Sequence, residues 1–210
     1  MKEKKVTNPV GKPISPQDGD ALLVIDVQNC FFPGGSLAVS EGDRIIPSLN
    51  HAIELFKKRN LLIFFSRDWH PPDHCSFREE GGPWPSHCVQ DTEGARFSPL
   101  LKAPGAANII SKGTEADKEE YSALYGRDTI GNTLHQRLRQ SGIRRAFVGG
   151  LATDYCVLNT VRDLLREGYE VYVLTDAIRA VDVNKGDGER ALREMTEKGA
   201  KTITTEEIGR

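Results

Sequence analysis

Cys156 lies where a predicted strand, a glycine pair and a predicted helix follow one another. Residues 146–148 form the apolar strand, Gly149 and Gly150 follow, and residues 153–166 have the stripe of an amphipathic helix. In the first turn of a helix, free backbone N–H groups and the helix dipole lower a thiol pKa, and the same N–H groups can bind an oxyanion. A free cysteine is more commonly a small packing residue, but this setting favours a thiolate nucleophile.

Asp26 and Lys112 also end predicted strands. Asp26 follows the continuous apolar run of residues 21–25, which is typical of a strand buried on both faces. A buried carboxylate needs a partner or a task, although an aspartate that caps a loop is an equally good interpretation of this residue alone. Lys112 taken alone is more commonly a surface lysine. Beside Asp26, it would offset that charge and favour a nearby thiolate.

Asp68, His70 and His87 have the types and spacing of metal ligands. Asp68 and His70 are two residues apart at the end of a predicted strand, so they point to the same side, and His87 comes from the long loop that follows. Three such donors leave open positions for water or a ligand. Two polar loop histidines are an equally good interpretation of this set alone. Soft donors nearby would instead build a closed structural zinc site, with candidates His74, Cys75 and Cys88.

The elements that must position these residues alternate along the chain. Apolar runs predict six strands, at residues 21–27, 61–66, 108–111, 146–148, 170–174 and 202–204. Helical stripes lie at residues 43–58, 129–140 and 153–166, and a further helix runs through Met195. This order predicts a three-layer α/β/α fold with a mainly parallel sheet of about six strands. Ligands bind at the carboxyl ends of the strands in such folds, where the candidate residues fall.

Composition narrows the class of protein. The 210 residues fit one domain at 20–210, preceded by a polar tail or strap at 1–19. The formal net charge of −2 favours neither nucleic acid nor an anionic membrane as a partner. Because the chain has no membrane-length apolar run or secretory leader, we expect a cytoplasmic protein. The four cysteines are too few for a disulfide scaffold, and we expect them to be free thiols.

Three stretches resemble the isochorismatase-like cysteine hydrolase family, and its nicotinamidases in particular. Residues 26–35 are similar to the family's first motif, residues 68–77 with 84–89 to its metal motif, and residues 149–157 to its nucleophile motif. The motifs occur in the family's order, and the resemblance runs from residue 20 to the C-terminus. It implies the isochorismatase-like fold and the hydrolysis of nicotinamide to nicotinate and ammonia through a cysteine thioester.

The resemblance also implies a catalytic role for each motif. Cys156 attacks the carboxamide carbon, Asp26 moves the proton, and Lys112 holds Asp26 and stabilises the charged state. The N–H groups of Ala152 and Cys156 form the oxyanion hole, next to a cis peptide bond between Leu151 and Ala152.

The resemblance further implies a bound metal and a ring-binding pair. Asp68, His70 and His87 bind a divalent ion, with zinc expected and iron or manganese as alternatives. This ion orients the pyridine nitrogen directly or through water. Phe31 and Trp84 match the residues that sandwich the ring, and a homo-oligomer is compatible with the family.

Departures from the family pattern keep other functions open. Cys30 replaces an acid, Cys75 replaces an aliphatic residue, and His74 matches a position that is a ligand in some members. An amidase for a carbamoyl compound or ureide is the nearest rival, but such members generally lack the full metal set. Isochorismatases lack the nucleophilic cysteine. A silent binding module or a structural zinc protein would leave Asp26 and Cys156 unexplained.

Overall fold

A computed structural model describes residues 14–103 and 108–209. Six parallel strands form one sheet in the order β3-β2-β1-β4-β5-β6. The strands are β1 Asp20–Ile25, β2 Leu62–Asp68, β3 Ile109–Lys112, β4 Arg145–Leu151, β5 Glu170–Arg179 and β6 Lys201–Ile203. The α-helices are α1 Ile46–Lys58, α2 Leu134–Gln140, α3 Leu158–Arg166 and α4 Asp187–Glu197. The prediction of a three-layer fold with a parallel sheet is confirmed.

Alternate residues of β1 point to opposite faces of the sheet, and both faces are covered. Leu22 and Val24 pack in the cluster that contains α1, whereas Leu23 and Ile25 pack in the cluster that contains α2, α3 and α4. This explains why β1 has no polar alternation. Among the described residues, no helix is long and apolar enough to cross a membrane.

The helices α1 and α2 begin later than the sequence pattern predicts. The helix predicted from Thr129 begins at Leu134, because Thr133 caps it with a capping box. Before that, the Asp128 carboxylate accepts the amides of Ile130 and Asn132 and so holds a turn. The helix predicted from residue 43 begins at Ile46, after a 3₁₀ turn.

The described part of the N-terminal tail lies against the C-terminus. The Ile14 N–H donates to the Glu207 carbonyl at 2.9 Å, and the Ile14 carbonyl accepts from Gly209 at 3.0 Å. The rest of the predicted tail, residues 1–13, lies outside the described residues.

Cys30 and Cys88 form a disulfide, so the expectation that all four cysteines are free thiols is wrong. The loop after β1 pairs with the loop at residues 93–98, where the Asn29 N–H donates to the Arg96 carbonyl at 2.9 Å. The Cα atoms of Cys30 and Cys88 lie 5.8 Å apart, within the range of a disulfide. Cys75 and Cys156 are free.

Candidate active site

The candidate residues lie side by side because their strands are neighbours. Lys112 ends β3, Asp68 ends β2, Asp26 follows β1 and Cys156 follows β4, and these four strands are consecutive in the sheet. All four residues are buried. The structure therefore brings together the groups that the sequence placed at strand ends.

Lys112 lies at the centre of this group. Its Nζ lies 3.0 Å from Asp26 Oδ2 and 3.3 Å from Cys156 Sγ, and it also contacts Asp68 Oδ1. Burial opposes the charge of the ammonium, but the two carboxylates raise the pKa of Lys112 well above its usual value. Lys112 is therefore a fixed positive charge that faces both acids and the thiol.

Asp26 leaves the sheet in a left-handed conformation, with φ of 48°. Ser66 Oγ donates to its Oδ1 at 2.6 Å, whereas Oδ2 has no hydrogen-bond donor among the described residues. Although Lys112 lies close to Oδ2, their contact lacks the geometry of a hydrogen bond. A carboxylate oxygen of Asp26 lies within 4.8 Å of Cys156 Sγ. Oδ2 is therefore free to accept a proton from the thiol.

Burial dominates the ionisation of the nucleophile. It raises the pKa of the Cys156 thiol well above its usual value, and it raises the pKa of Asp26. Lys112 opposes both shifts, while the negative charge of Asp68 adds to them. Burial thus contradicts the prediction of a lowered thiol pKa, and the Cys156 thiol needs a base.

The nucleophile segment has a wider turn than the predicted α-helix. Residues Thr153–Val157 form a π-helical turn, and α3 begins only at Leu158. The peptide bond between Leu151 and Ala152 is cis, as the resemblance implied. Asp154 accepts the amides of Val181 and Asp182, each at 2.9 Å. Asp154 thus has a structural role and ties the loop after β5 to this turn.

The three predicted metal ligands form a second cluster beside the first. One donor atom from each of Asp68, His70 and His87 lies within 4.8 Å of the others, and all three residues are buried. His70 Nδ1 pairs with the Gly113 carbonyl at 2.9 Å, and His87 Nδ1 pairs with the Pro85 carbonyl at 2.8 Å. These carbonyls fix both ring orientations and leave each Nε2 for a metal. The donor set therefore fits a divalent ion.

His74 is not part of this donor set. Its Nδ1 pairs with Ser76 Oγ at 2.7 Å, and its Nε2 pairs with the Lys118 carbonyl at 3.1 Å. The alternative of a structural zinc site with Cys88 is also wrong, because Cys88 is in the disulfide.

An aromatic cavity opens between the two clusters. Phe31 and Trp84, predicted as the ring-binding pair, both line it, together with Asp68, His87 and Cys156. Two tyrosines that were not predicted from the sequence, Tyr121 and Tyr155, complete this wall. The Trp84 indole donates to Tyr121 Oη at 3.0 Å, and Tyr155 packs edge-on against Trp84 with ring centroids 4.9 Å apart.

A signal for Tyr155 was present in the sequence. Tyr155 lies within the nucleophile motif at residues 149–157, and its side chain lines the cavity. Tyr121 carried no local signal, because its segment has no periodicity.

Known proteins match most of this chain. A family model for the isochorismatase domain matches residues 20–207. The nicotinamidase of Escherichia coli is 39% identical over 200 residues, which are 88% of this chain and 94% of that protein. A pyrazinamidase of Pyrococcus horikoshii, solved in complex with zinc, superposes with a TM-score of 0.80 and 48% identity, over 89% of this chain and 99% of that one. PnC1 of L. infantum, solved in complex with nicotinate, superposes with a TM-score of 0.82 and 32% identity. The match covers 92% of this chain and 96% of that one.

Proposed function

The chain belongs to the isochorismatase family, and we propose that it is a nicotinamidase, which hydrolyses nicotinamide to nicotinate and ammonia. The observation that carries this proposal is the shared cavity. A buried thiol with its base and its lysine lies next to three metal donors and an aromatic wall. The relatives named nicotinamidase and the PnC1 structure with nicotinate support the same substrate.

In the first half of the reaction, Asp26 takes the proton of the Cys156 thiol while Sγ attacks the carboxamide carbon. We assign the oxyanion hole to the backbone N–H groups of Ala152 and Cys156. Asp26 then gives its proton to the amide nitrogen, the C–N bond breaks, and ammonia leaves a thioester behind. The raised pKa of Cys156 explains why the thiol needs Asp26 as a general base.

In the second half, water attacks the thioester. Asp26 takes a proton from the water and returns it to Sγ as the C–S bond breaks, which restores the Cys156 thiol. The carboxylic acid that is released gives its proton to solvent and leaves as nicotinate. Lys112 keeps its charge throughout and holds Asp26 through their 3.0 Å contact.

Asp68, His70 and His87 would hold the metal. The nitrogen and oxygen donors suit zinc, with iron or manganese as alternatives. When bound, the ion would supply a Lewis acid for the pyridine nitrogen, directly or through water. Phe31 and Trp84 would hold the ring between them, and these contacts would select a pyridine carboxamide over a non-aromatic amide.

The test is ammonia release from nicotinamide by the purified, zinc-loaded protein. We expect activity in the wild type, none in Cys156→Ala, and wild-type activity in the matched control Cys75→Ala, because Cys75 lies outside the cavity. Activity on a ureide but not on nicotinamide would refute the substrate. Full activity in Cys156→Ala would refute the mechanism.

A further inference from the structure

Gln28 lies two residues after Asp26, and its side chain is fully buried. The side-chain amide makes three hydrogen bonds, all to main-chain groups. Nε2 donates to the carbonyls of Asp68 at 2.8 Å and Ala95 at 2.9 Å, and Oε1 accepts from the Asp68 N–H at 2.8 Å. Gln28 therefore binds both main-chain polar groups of Asp68.

The path of the backbone explains why Asp68 needs this partner. The ladder between β1 and β2 ends at Val24 and Phe65, and beyond it the left-handed turn at Asp26 takes the chain out of the sheet. On its other side, Asp68 still pairs with Lys112 of β3. The Gln28 amide occupies the side that β1 has left and supplies a donor and an acceptor, as a peptide group would.

We propose that Gln28 is a positioning residue that fixes Asp68 between Lys112 and the metal donors. The proposal rests on the metal site of the proposed function. The Asp68 carboxylate contacts Lys112 and lies within 4.8 Å of the donor nitrogens of His70 and His87. Because one carboxylate serves both clusters, a shift of the Asp68 main chain would disturb both.

The test compares Gln28→Met with the control Gln90→Met. Methionine keeps the length of the side chain but removes its donor and acceptor. Gln90 is a half-buried loop glutamine, and its side chain donates to the carbonyl of Trp69 at 2.9 Å and makes no bond to Asp68. For each variant, the zinc dissociation constant is measured by competition with a chromogenic chelator, and the midpoint of thermal unfolding is measured in parallel.

We expect Gln28→Met to bind zinc about 10- to 100-fold more weakly, as for other residues that orient metal ligands, and Gln90→Met to bind it as the wild type does. Equal zinc affinity in Gln28→Met and the wild type would overturn the proposal, as would an equal loss in both variants. If Gln28→Met does not fold, Gln28→Asn, which keeps a shorter amide, takes its place. Gln28→Asn should also bind zinc more weakly than the wild type, and unchanged affinity in it would likewise overturn the proposal.

The zinc-affinity comparison and the nicotinamide assay of the proposed function can fail separately. A wild type that binds zinc but releases no ammonia from nicotinamide refutes the substrate and leaves the zinc comparison valid. A wild type that binds no zinc overturns this proposal and the metal site together.

Discussion

Replacement of Lys112 by methionine should destabilise the protein as well as inactivate it. The side chain is fully buried between the carboxylates of Asp26 and Asp68. Methionine fills a similar volume but leaves two buried acids without a counter-charge. Removal of one partner from a buried ion pair typically costs about 3–5 kcal/mol. We therefore expect the free energy of unfolding of the metal-free protein to fall by that amount near pH 7.

The pH dependence provides an internal check of this reasoning. In the wild type, burial opposes the charge of Asp68, but Lys112 outweighs it and holds the pKa of Asp68 well below its usual range. That pairing stabilises the fold above the unfolded pKa of the acid and is lost only in strong acid. In Lys112→Met, the ammonium no longer opposes the effect of burial on Asp26 and Asp68, so their charged forms become less favourable. The loss relative to the wild type should be largest at pH 8 and should shrink towards pH 5.

The assay is urea denaturation of both proteins at pH 5 and pH 8, with Lys118→Met as the control. Lys118 is more than half exposed and pairs with Glu120, and such surface pairs contribute little to stability. A loss of stability in Lys112→Met that is no larger than the loss in Lys118→Met would contradict the role of the buried ammonium. An equal loss at both pH values would also contradict it, because the destabilisation would then not come from charge.

Two further changes act on neighbouring parts of the site. Replacement of both Cys30 and Cys88 by serine should lower the free energy of unfolding by about 4 kcal/mol, since the disulfide spans 58 residues. Urea denaturation measures this loss, and the control Cys75→Ser should change the free energy of unfolding little. Ser66→Ala removes a hydrogen bond that lowers the pKa of Asp26. The acid limb of the pH profile of kcat/KM should therefore move to higher pH. An acid limb that does not move would contradict the role of Asp26 as the base.

The sequence predicted the sheet and the positions of the candidate residues because both depend on local patterns. A continuous apolar run that ends on a polar residue indicates a buried strand and its carboxyl end. Since parallel neighbours align these ends, the sequence alone places Asp26, Lys112 and Cys156 together. The protonation states of these residues could not be predicted in the same way. The pKa of Cys156 depends on how completely the site excludes water and on the charge of Asp68, and neither has a signature in the neighbouring residues.

The parts that were missed depend on contacts between distant segments. The Cys30–Cys88 disulfide joins residues 58 positions apart, and it forms because two loops pack on each other. Tyr121 reaches the cavity through its bond to Trp84, which lies 37 residues away. The helix at Leu134 begins late because the Asp128 turn and the Thr133 cap outweigh the apolar stripe that includes Ile130, a residue that is 79% exposed.

Asp68 belongs to both clusters, so its loss should have an effect that the loss of His87 does not. Both Asp68→Ala and His87→Ala remove a predicted zinc ligand, and both should weaken zinc binding. In the metal-free protein, however, the charge of Asp68 raises the pKa of Cys156, whereas His87 does not. Asp68→Ala should therefore increase the rate at which iodoacetamide alkylates Cys156, whereas His87→Ala should leave it unchanged.

The alkylation rates are measured at pH 8 in a Cys75→Ser background, so that Cys156 is the one free thiol of the described residues. Only the thiolate reacts, so the rate follows the ionised fraction. Equal rates in Asp68→Ala and His87→Ala would show that Asp68 acts on the metal alone. A faster rate in Asp68→Ala alone means that one carboxylate sets both the metal site and the resting state of the nucleophile, so zinc binding and thiol reactivity cannot vary independently in this fold.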